Sequence, residues 1–221
     1  MKYEFIGSEF QYLLIDLEPN EEVYIDGSHL IYKDKEVSLN AKMAGGFLSA
    51  LKREITGTSF FLLEAMGPGK IALSSPLAGK VLKIDLKDKG VLVEHTSFLA
   101  SEKTIKYDAK LGSLTAGIFG GEGIFLAKLE GNGSLFLHAV GQVNEIQLKN
   151  GQEIHVEASH LLAFEEGLSY GITRAGNLKT MLFGDEGLFF VNIKGEGKVW
   201  VKSSSRRDVA LSIYKYLPKR Q

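Results

Sequence analysis

The sequence predicts an all-β protein, and three observations support this class. Glycine makes up 25 of the 221 residues and proline only four, a composition typical of short strands joined by tight turns. Apolar residues alternate with other residues along short stretches, as at Val91 and Val93, and a period of two indicates a half-buried strand. Turn and strand signals also return at a nearly constant interval. We therefore expect short antiparallel strands throughout the chain.

The composition excludes several classes of protein. Hydrophobic residues make up 44% of the chain and the net charge is -1, so the chain is neither disordered nor a polyanion-binding protein along its whole length. It has no cysteine, which removes thiol catalysis, thiolate metal sites and a disulfide scaffold. No apolar run is long enough to span a bilayer, and the first residues lack the pattern of a signal peptide. We expect a cytoplasmic protein.

Three Gly-x-Gly turns give the clearest periodicity. They are centred on Pro68, Asn132 and Glu196, so each follows the previous one by 64 residues. Their flanks match in the same register, with Phe61, Phe125 and Phe189 before the turns and Leu73, Leu137 and Val201 after them. Because glycine supplies the positive φ that a tight β-turn needs, we expect a hairpin at each Gly-x-Gly.

A second repeated block carries an acid. Asp26, Glu94 and Glu157 occupy the same place in three similar blocks, and a serine or threonine follows each acid two residues later. A catalytic acid is one interpretation. The favoured one is a carboxylate that accepts a backbone hydrogen bond and fixes a turn between two strands. A feature present in every block serves the fold first, because catalysis rarely needs three copies.

These periodicities divide the chain into three β units, residues 1–79, 80–143 and 144–221. The first unit is longer, and a short helical insertion near residues 45–54 accounts for the difference. Residues 208–213 alternate and are predicted to form the closing strand, followed by a basic tail. A unit of about 64 residues buries only a modest core, so the three should pack together in a pseudo-threefold arrangement.

Candidate chemistry is sparse. His155, Glu157 and His160 resemble a set of metal ligands, but on a strand the first two share a face and His160 points to the other. The glycines of 117–123 lack the pattern of a phosphate-binding loop. The polar stretch 203–207 could bind an anion through its arginines, although a solvated loop is favoured. We therefore assign no catalytic residue, no metal ligand and no cofactor.

Nucleic-acid binding is not favoured. The basic groups at residues 52–53, 206–207 and 215–220 are separated in the sequence. They are not interleaved with aromatic residues, as a stacking platform for bases requires. Whether they converge in an oligomer is left open by the sequence.

The repeat motifs resemble one known family, the bacterial and archaeal proteins related to the yeast altered-inheritance-of-mitochondria biogenesis protein. The string Phe119-Gly120-Gly121-Glu122-Gly123, continuing to residue 133, carries most of the resemblance. Residues 184–200 repeat it, and residues 45–53 and 159–164 also look like this family. The resemblance covers nearly the whole chain. It departs from the pattern at Asn132, where proline is more usual.

The resemblance implies three tandem units of the fold named after the tryptophan RNA-binding attenuation protein (TRAP), a β-sandwich of the double-stranded β-helix type. It also implies a homotrimer, with nine units in a ring, and no agreed enzymatic activity. We expect a non-enzymatic oligomeric scaffold or binding protein. The alternatives are a small-molecule or RNA-binding regulator that uses clefts between the units and, less favoured, a metal-dependent enzyme.

Overall fold

The structure, a computed structural model, describes most of the chain. The residues described are 1–41, 62–108, 125–174, 189–214 and 216–217. The helical insertion predicted near residues 45–54 and the glycine-rich stretch 117–123 both lie outside these residues. The strands, sheets and contacts of the protein are therefore those of these five ranges.

Strands dominate the structure and form three antiparallel sheets, so the all-β prediction is confirmed at this level. The first sheet has the order β1 (Lys2–Ile6), β2 (Tyr12–Leu17), β7 (Gly69–Leu73) and β4 (Leu30–Lys33). The second has the order β5 (Ser38–Ala41), β6 (Leu62–Met66), β3 (Glu22–Asp26), β10 (Phe98–Glu102), β13 (Gly133–Val140) and β8 (Gly79–Leu86). The third has the order β11 (Ile105–Asp108), β12 (Leu126–Gly131), β9 (Val91–Glu94), β15 (Leu161–Glu165), β17 (Phe189–Lys202) and β14 (Val143–Glu157), and β16 (Ser169–Arg174) also pairs with β17.

The core follows from the alternation along the strands. In β2, Leu13, Ile15 and Leu17 are buried while the residues between them are partly exposed. Such side chains form three apolar clusters, and Phe98, Phe136 and Phe164 are each fully buried in a different one. Burying one such ring stabilises the fold by about 2–3 kcal/mol.

The second and third sheets join segments that are distant in the sequence. In the second sheet β3 pairs with β10, so that Ile25 lies opposite Ala100. In the third sheet β9 pairs with β15, so that Val93 lies opposite Ala163. Both junctions are antiparallel. Backbone hydrogen bonds therefore link the first segment of the chain to the second, and the second to the third.

The Gly-x-Gly motifs do not form the predicted hairpins. Strand β12 ends at Gly131 and β13 begins at Gly133, but β12 belongs to the third sheet and β13 to the second. At Gly131, φ is +135° and an added Cβ would lie 2.3 Å from the carbonyl oxygen of Thr104. Strand β17 runs through Gly195 and Gly197 without interruption. The motif is therefore a bend between sheets, because its two flanking strands find partners in different sheets.

The C-terminal segment is a helix, so the strand predicted at residues 208–213 is wrong. Helix α1 spans Arg206–Tyr214. Ser205 and Asp208 cap it reciprocally: the Ser205 amide donates to the Asp208 carboxylate (2.9 Å), and the Asp208 amide donates to the Ser205 hydroxyl (3.0 Å). This capping box starts a helix despite the alternation that comes after it. Among the described residues, no helix is long and apolar enough to cross a membrane.

Candidate functional site

Each of the three repeated acids closes a short 3₁₀ turn. The carboxylates of Asp26, Glu94 and Glu157 accept a hydrogen bond from the amide two residues later, at 2.9, 3.0 and 2.9 Å. The turns span Gly27–His29, His95–Ser97 and Ala158–His160, and we call them the first, second and third turns. These are the turn-fixing hydrogen bonds that the sequence predicted. The acids therefore have a structural role, and they position the polar residues around them.

Glu94 forms the most extensive network at these turns. Its Oε2 accepts hydrogen bonds from the hydroxyls of Thr96 and Ser97, both at 2.8 Å. The ammonium of Lys202, at the end of β17, lies 3.4 Å from the same oxygen. Lys202 is only 6% exposed, and a buried ammonium is strongly unfavourable unless an acid neutralises it. The pair therefore fixes the end of β17 against the second turn.

The ionisation of Glu94 reflects this environment. Burial alone would raise the pKa of its carboxyl group. The positive charges of Lys202 and His95, together with the hydrogen bonds from Thr96, outweigh burial and lower this pKa to about 2. At neutral pH the contact between Glu94 and Lys202 is therefore an ion pair.

Arg206 connects the first two turns. One guanidinium nitrogen lies 3.3 Å from Nε2 of His29 and 3.3 Å from the carbonyl oxygen of Thr96. A guanidinium can only donate, so Nε2 accepts and the proton of neutral His29 resides on Nδ1. That Nδ1 lies 3.3 Å from the Asp26 carboxylate, at an angle too bent for a hydrogen bond. The first residue of α1 thus holds the first and second turns together.

Asp208 ties the third turn to the same place. Nε2 of His160 lies 3.3 Å from the Asp208 carboxylate, and its Nδ1 lies 2.8 Å from the carbonyl oxygen of Lys202. Lys202, Arg206 and Asp208 therefore contact all three turns, and we call these three residues the C-terminal clasp. It is a polar joint between the first, second and third segments of the chain.

His138 lies within this polar region and is 3% exposed. Its Nε2 is buried without a hydrogen-bond partner. Burial lowers the pKa of its imidazole, and the positive charges of His29, Arg206 and Lys202 lower it further, to about 4. At neutral pH the ring is therefore uncharged. Its protonation would place an additional cation beside the clasp.

Comparisons with known proteins now assign the chain to a family. The family model described as Mitochondrial biogenesis AIM24 matches residues 3–204. The chain belongs to this family. An uncharacterised protein of Streptococcus pyogenes serotype M6 is 27% identical over 220 residues, which cover 95% of this chain and 88% of that protein. A crystal structure of a Streptococcus pyogenes protein has a TM-score of 0.79 and 24% identity, covering 98% of this chain and 99% of the other, and it supports the fold.

The metal ligands considered for this AIM24 family member have other partners. His155 pairs with Glu153 through its Nε2 at 3.1 Å. Glu157 accepts hydrogen bonds from Ser159, while His160 is held by the clasp. Among the residues that the structure describes, no three metal-binding side chains come together. This geometry gives the metal-dependent enzyme no support.

The candidate anion loop at residues 203–207 is also engaged internally. The Ser203 hydroxyl accepts the amide of Gln142 at 2.8 Å, Ser205 caps α1, and Arg206 binds the first two turns. The sequence did not reveal Lys202 or His138 as parts of a cluster. A faint signal was available for Lys202, since it follows the buried Trp200 by two residues on a strand and so shares its inward face.

Replacing Lys202 by methionine should destabilise the protein strongly. Lys202→Met leaves the Glu94 carboxylate buried without its cation, and we expect a loss of about 3–5 kcal/mol in the free energy of unfolding, measured by urea denaturation. Lys198→Met is the matched control. It removes a lysine from a surface pair with Glu145 (2.8 Å), for which we expect less than about 1 kcal/mol.

A rescue separates charge from packing in this prediction. In the double variant Lys202→Met with Glu94→Gln, the neutral amide no longer needs a cation, so much of the lost stability should return. An equal loss in the single and double variants would contradict the assignment of Lys202 as the counter-ion of Glu94.

Acidification should weaken the fold through His138. Because its pKa falls from 6.5 in the unfolded chain to about 4 in the fold, its stabilising contribution is complete above pH 6.5. It is lost as the pH falls through 4, by about 3 kcal/mol in all. In urea titrations across this range, His138→Leu should flatten the pH dependence. His155→Leu, which removes an exposed histidine, should not. An unchanged slope in His138→Leu would refute the role of His138.

Proposed function

We propose that this protein is a non-enzymatic scaffold or binding protein that acts as a closed homo-oligomer, with a trimer favoured. One observation carries the proposal. Counted from the turn acids, Ile31, Leu99 and Leu162 occupy the same position, five residues after the acid. Leu99 and Leu162 are 0% exposed, whereas Ile31 is 55% exposed.

The difference follows from the pairing of the strands that begin after the turns. Strand β10, which contains Leu99, pairs with β3, and β15, which contains Leu162, pairs with β9. Strand β4, which contains Ile31, lies at the edge of the first sheet and pairs only with β7 among the strands described. Exposed edges of this kind favour association with another strand. A second copy of the chain can supply that strand.

The matching edge lies at the other end of the chain. Residues 152–157 of β14 precede the third turn as β3 and β9 precede the first and second, and they pair only with β17 among the described strands. If a neighbouring copy continues the register of the two internal junctions, its Tyr32 lies opposite Val156 and its Lys33 opposite His155. Two different surfaces then meet in each contact. Such head-to-tail contacts repeat around a ring until it closes.

Charges at the internal junctions support this register. At the first junction Lys103 lies 3.2 Å from Glu64. At the second, Lys128 lies 2.6 Å from Glu166, which occupies the position of Lys103 with the signs reversed. Lys103 also pairs with Glu22.

Between copies, the position of Lys103 belongs to Lys35 and that of Glu22 belongs to Glu153. Lys35 is exposed, and Glu153 is partly exposed. These opposite charges would face each other across the contact. Three TRAP-like units per chain would give nine in a trimeric ring.

The alternative functions receive less support. Lys202 and Arg206 face internal partners instead of solvent, so they offer no surface for RNA. The basic pair at residues 52–53 lies outside the described residues. A regulator that binds a small molecule between units stays the second hypothesis. A role in binding or scaffolding agrees with side chains whose contacts serve turns and junctions.

A lysine at the open edge should prevent assembly. In multi-angle light scattering we expect a mass about three times the 24.3 kDa of one chain, whereas Ile31→Lys should approach the monomer because its ammonium would be buried in the contact. Phe10→Lys is the matched control, since Phe10 is also an exposed apolar residue and takes no part in the proposed contact. A monomeric wild type, or an Ile31→Lys variant of unchanged mass, would contradict the proposal.

A further inference from the structure

The C-terminal segment exposes large apolar side chains. In α1 and just after it, Leu211, Ile213, Tyr214 and Leu217 are 56%, 51%, 72% and 56% exposed. No residue of α1 is buried. This concentration of exposed apolar surface lies beside the clasp, where the rest of the structure is closely bonded.

These side chains follow the period of a helix. Ile213 is four residues after Val209, and Leu217 is four residues after Ile213, so that they lie on one side of a helical path. The path continues beyond α1, because the amide of Leu217 donates to the carbonyl oxygen of Tyr214 at 3.1 Å. The result is a narrow apolar stripe on an element that is anchored only at its base.

The same segment has a distinctive charge. Residues 206–220 contain five lysines and arginines and a single acid, a net charge of +4, although the whole chain has a net charge of -1. The remainder therefore carries -5. After Asp208 there is no acidic residue, and Lys215, Lys219 and Arg220 supply three cations. The chain thus separates a basic, apolar end from an acidic body.

We propose that residues 209–221 dock on an anionic phospholipid surface. The stripe would enter the interface between headgroups and acyl chains without crossing the bilayer, and the three cations would bind acidic headgroups. Tyr214 and Tyr216 suit this position, because a tyrosine has an apolar ring and a polar hydroxyl. An acidic protein would satisfy the cations but would leave the row of exposed aliphatic side chains without a partner.

The anchor at the base of α1 sets the geometry of docking. The capping box and the contacts of Arg206 fix the first turn of the helix to the body. In the ring of the proposed function, on which this step rests, rotational symmetry places every α1 on the same rim. One short segment binds weakly, whereas several segments on one rim bind together with increased avidity.

Cosedimentation with lipid vesicles tests the proposal. The full chain should bind vesicles of equal parts phosphatidylglycerol and phosphatidylcholine in a salt-sensitive way and should not bind phosphatidylcholine alone. Lys215→Glu, Lys219→Glu and Arg220→Glu together should weaken binding at least about 100-fold, since each cation contributes about fivefold. The matched control, Lys87→Glu with Lys89→Glu and Lys149→Glu, changes exposed lysines elsewhere by the same charge and should retain binding.

A second variant separates lipid from an acidic protein. Ile213→Ser with Leu217→Ser should weaken vesicle binding about tenfold or more while leaving retention on immobilised polyglutamate unchanged. Binding that ignores these two substitutions would overturn lipid docking in favour of a purely acidic partner. Equal binding by the wild type and the triple glutamate variant would also overturn it.

Light scattering on the same samples distinguishes failure of docking from failure of assembly. A monomer that binds anionic vesicles supports the docking segment and refutes the ring. An oligomer that ignores the vesicles refutes the docking segment alone. A monomer that does not bind at millimolar lipid counts against both.

Discussion

The buried ion pair between Lys202 and Glu94 is the contact on which the arrangement of the segments depends. It joins residues 108 positions apart in the sequence, from the end of β17 to the second turn. A charge buried in the protein requires a partner, so neither group can move away alone. Arg206 and Asp208 extend the joint to the first and third turns. Backbone pairing links the segments along the sheets, and the clasp links them at the turns.

The clasp also determines what stays exposed. Because Arg206 and Asp208 engage the turns, they fix only the base of α1, and its apolar stripe faces outward. The internal junctions of β3 with β10 and β9 with β15 leave β4 and the second half of β14 as open edges among the described strands. Assembly through those edges and docking through α1 use different surfaces. The two proposals can therefore hold or fail separately.

The all-β class and the turns at Asp26, Glu94 and Glu157 were predictable because both depend on local patterns. The Gly-x-Gly motifs were mistaken for hairpins, since the sheet that a strand joins depends on partners far away in the sequence. At residues 208–213 alternation favoured a strand, but a local capping box decided for a helix. The cluster around His138 was not predictable for a similar reason, because its members come from all three segments and meet only after folding.

The central claim is that the clasp couples all three turns. Native-state hydrogen exchange measured by mass spectrometry tests it directly, with Arg206→Ala compared with the wild type. We expect protection to fall together in the first and second turns, whose amides at Ser28 and Thr96 are bonded to the turn acids. We also expect a smaller loss around Ser159 in the third turn, transmitted through α1 and Asp208. Faster exchange confined to α1, with all three turns unchanged, would contradict this coupling.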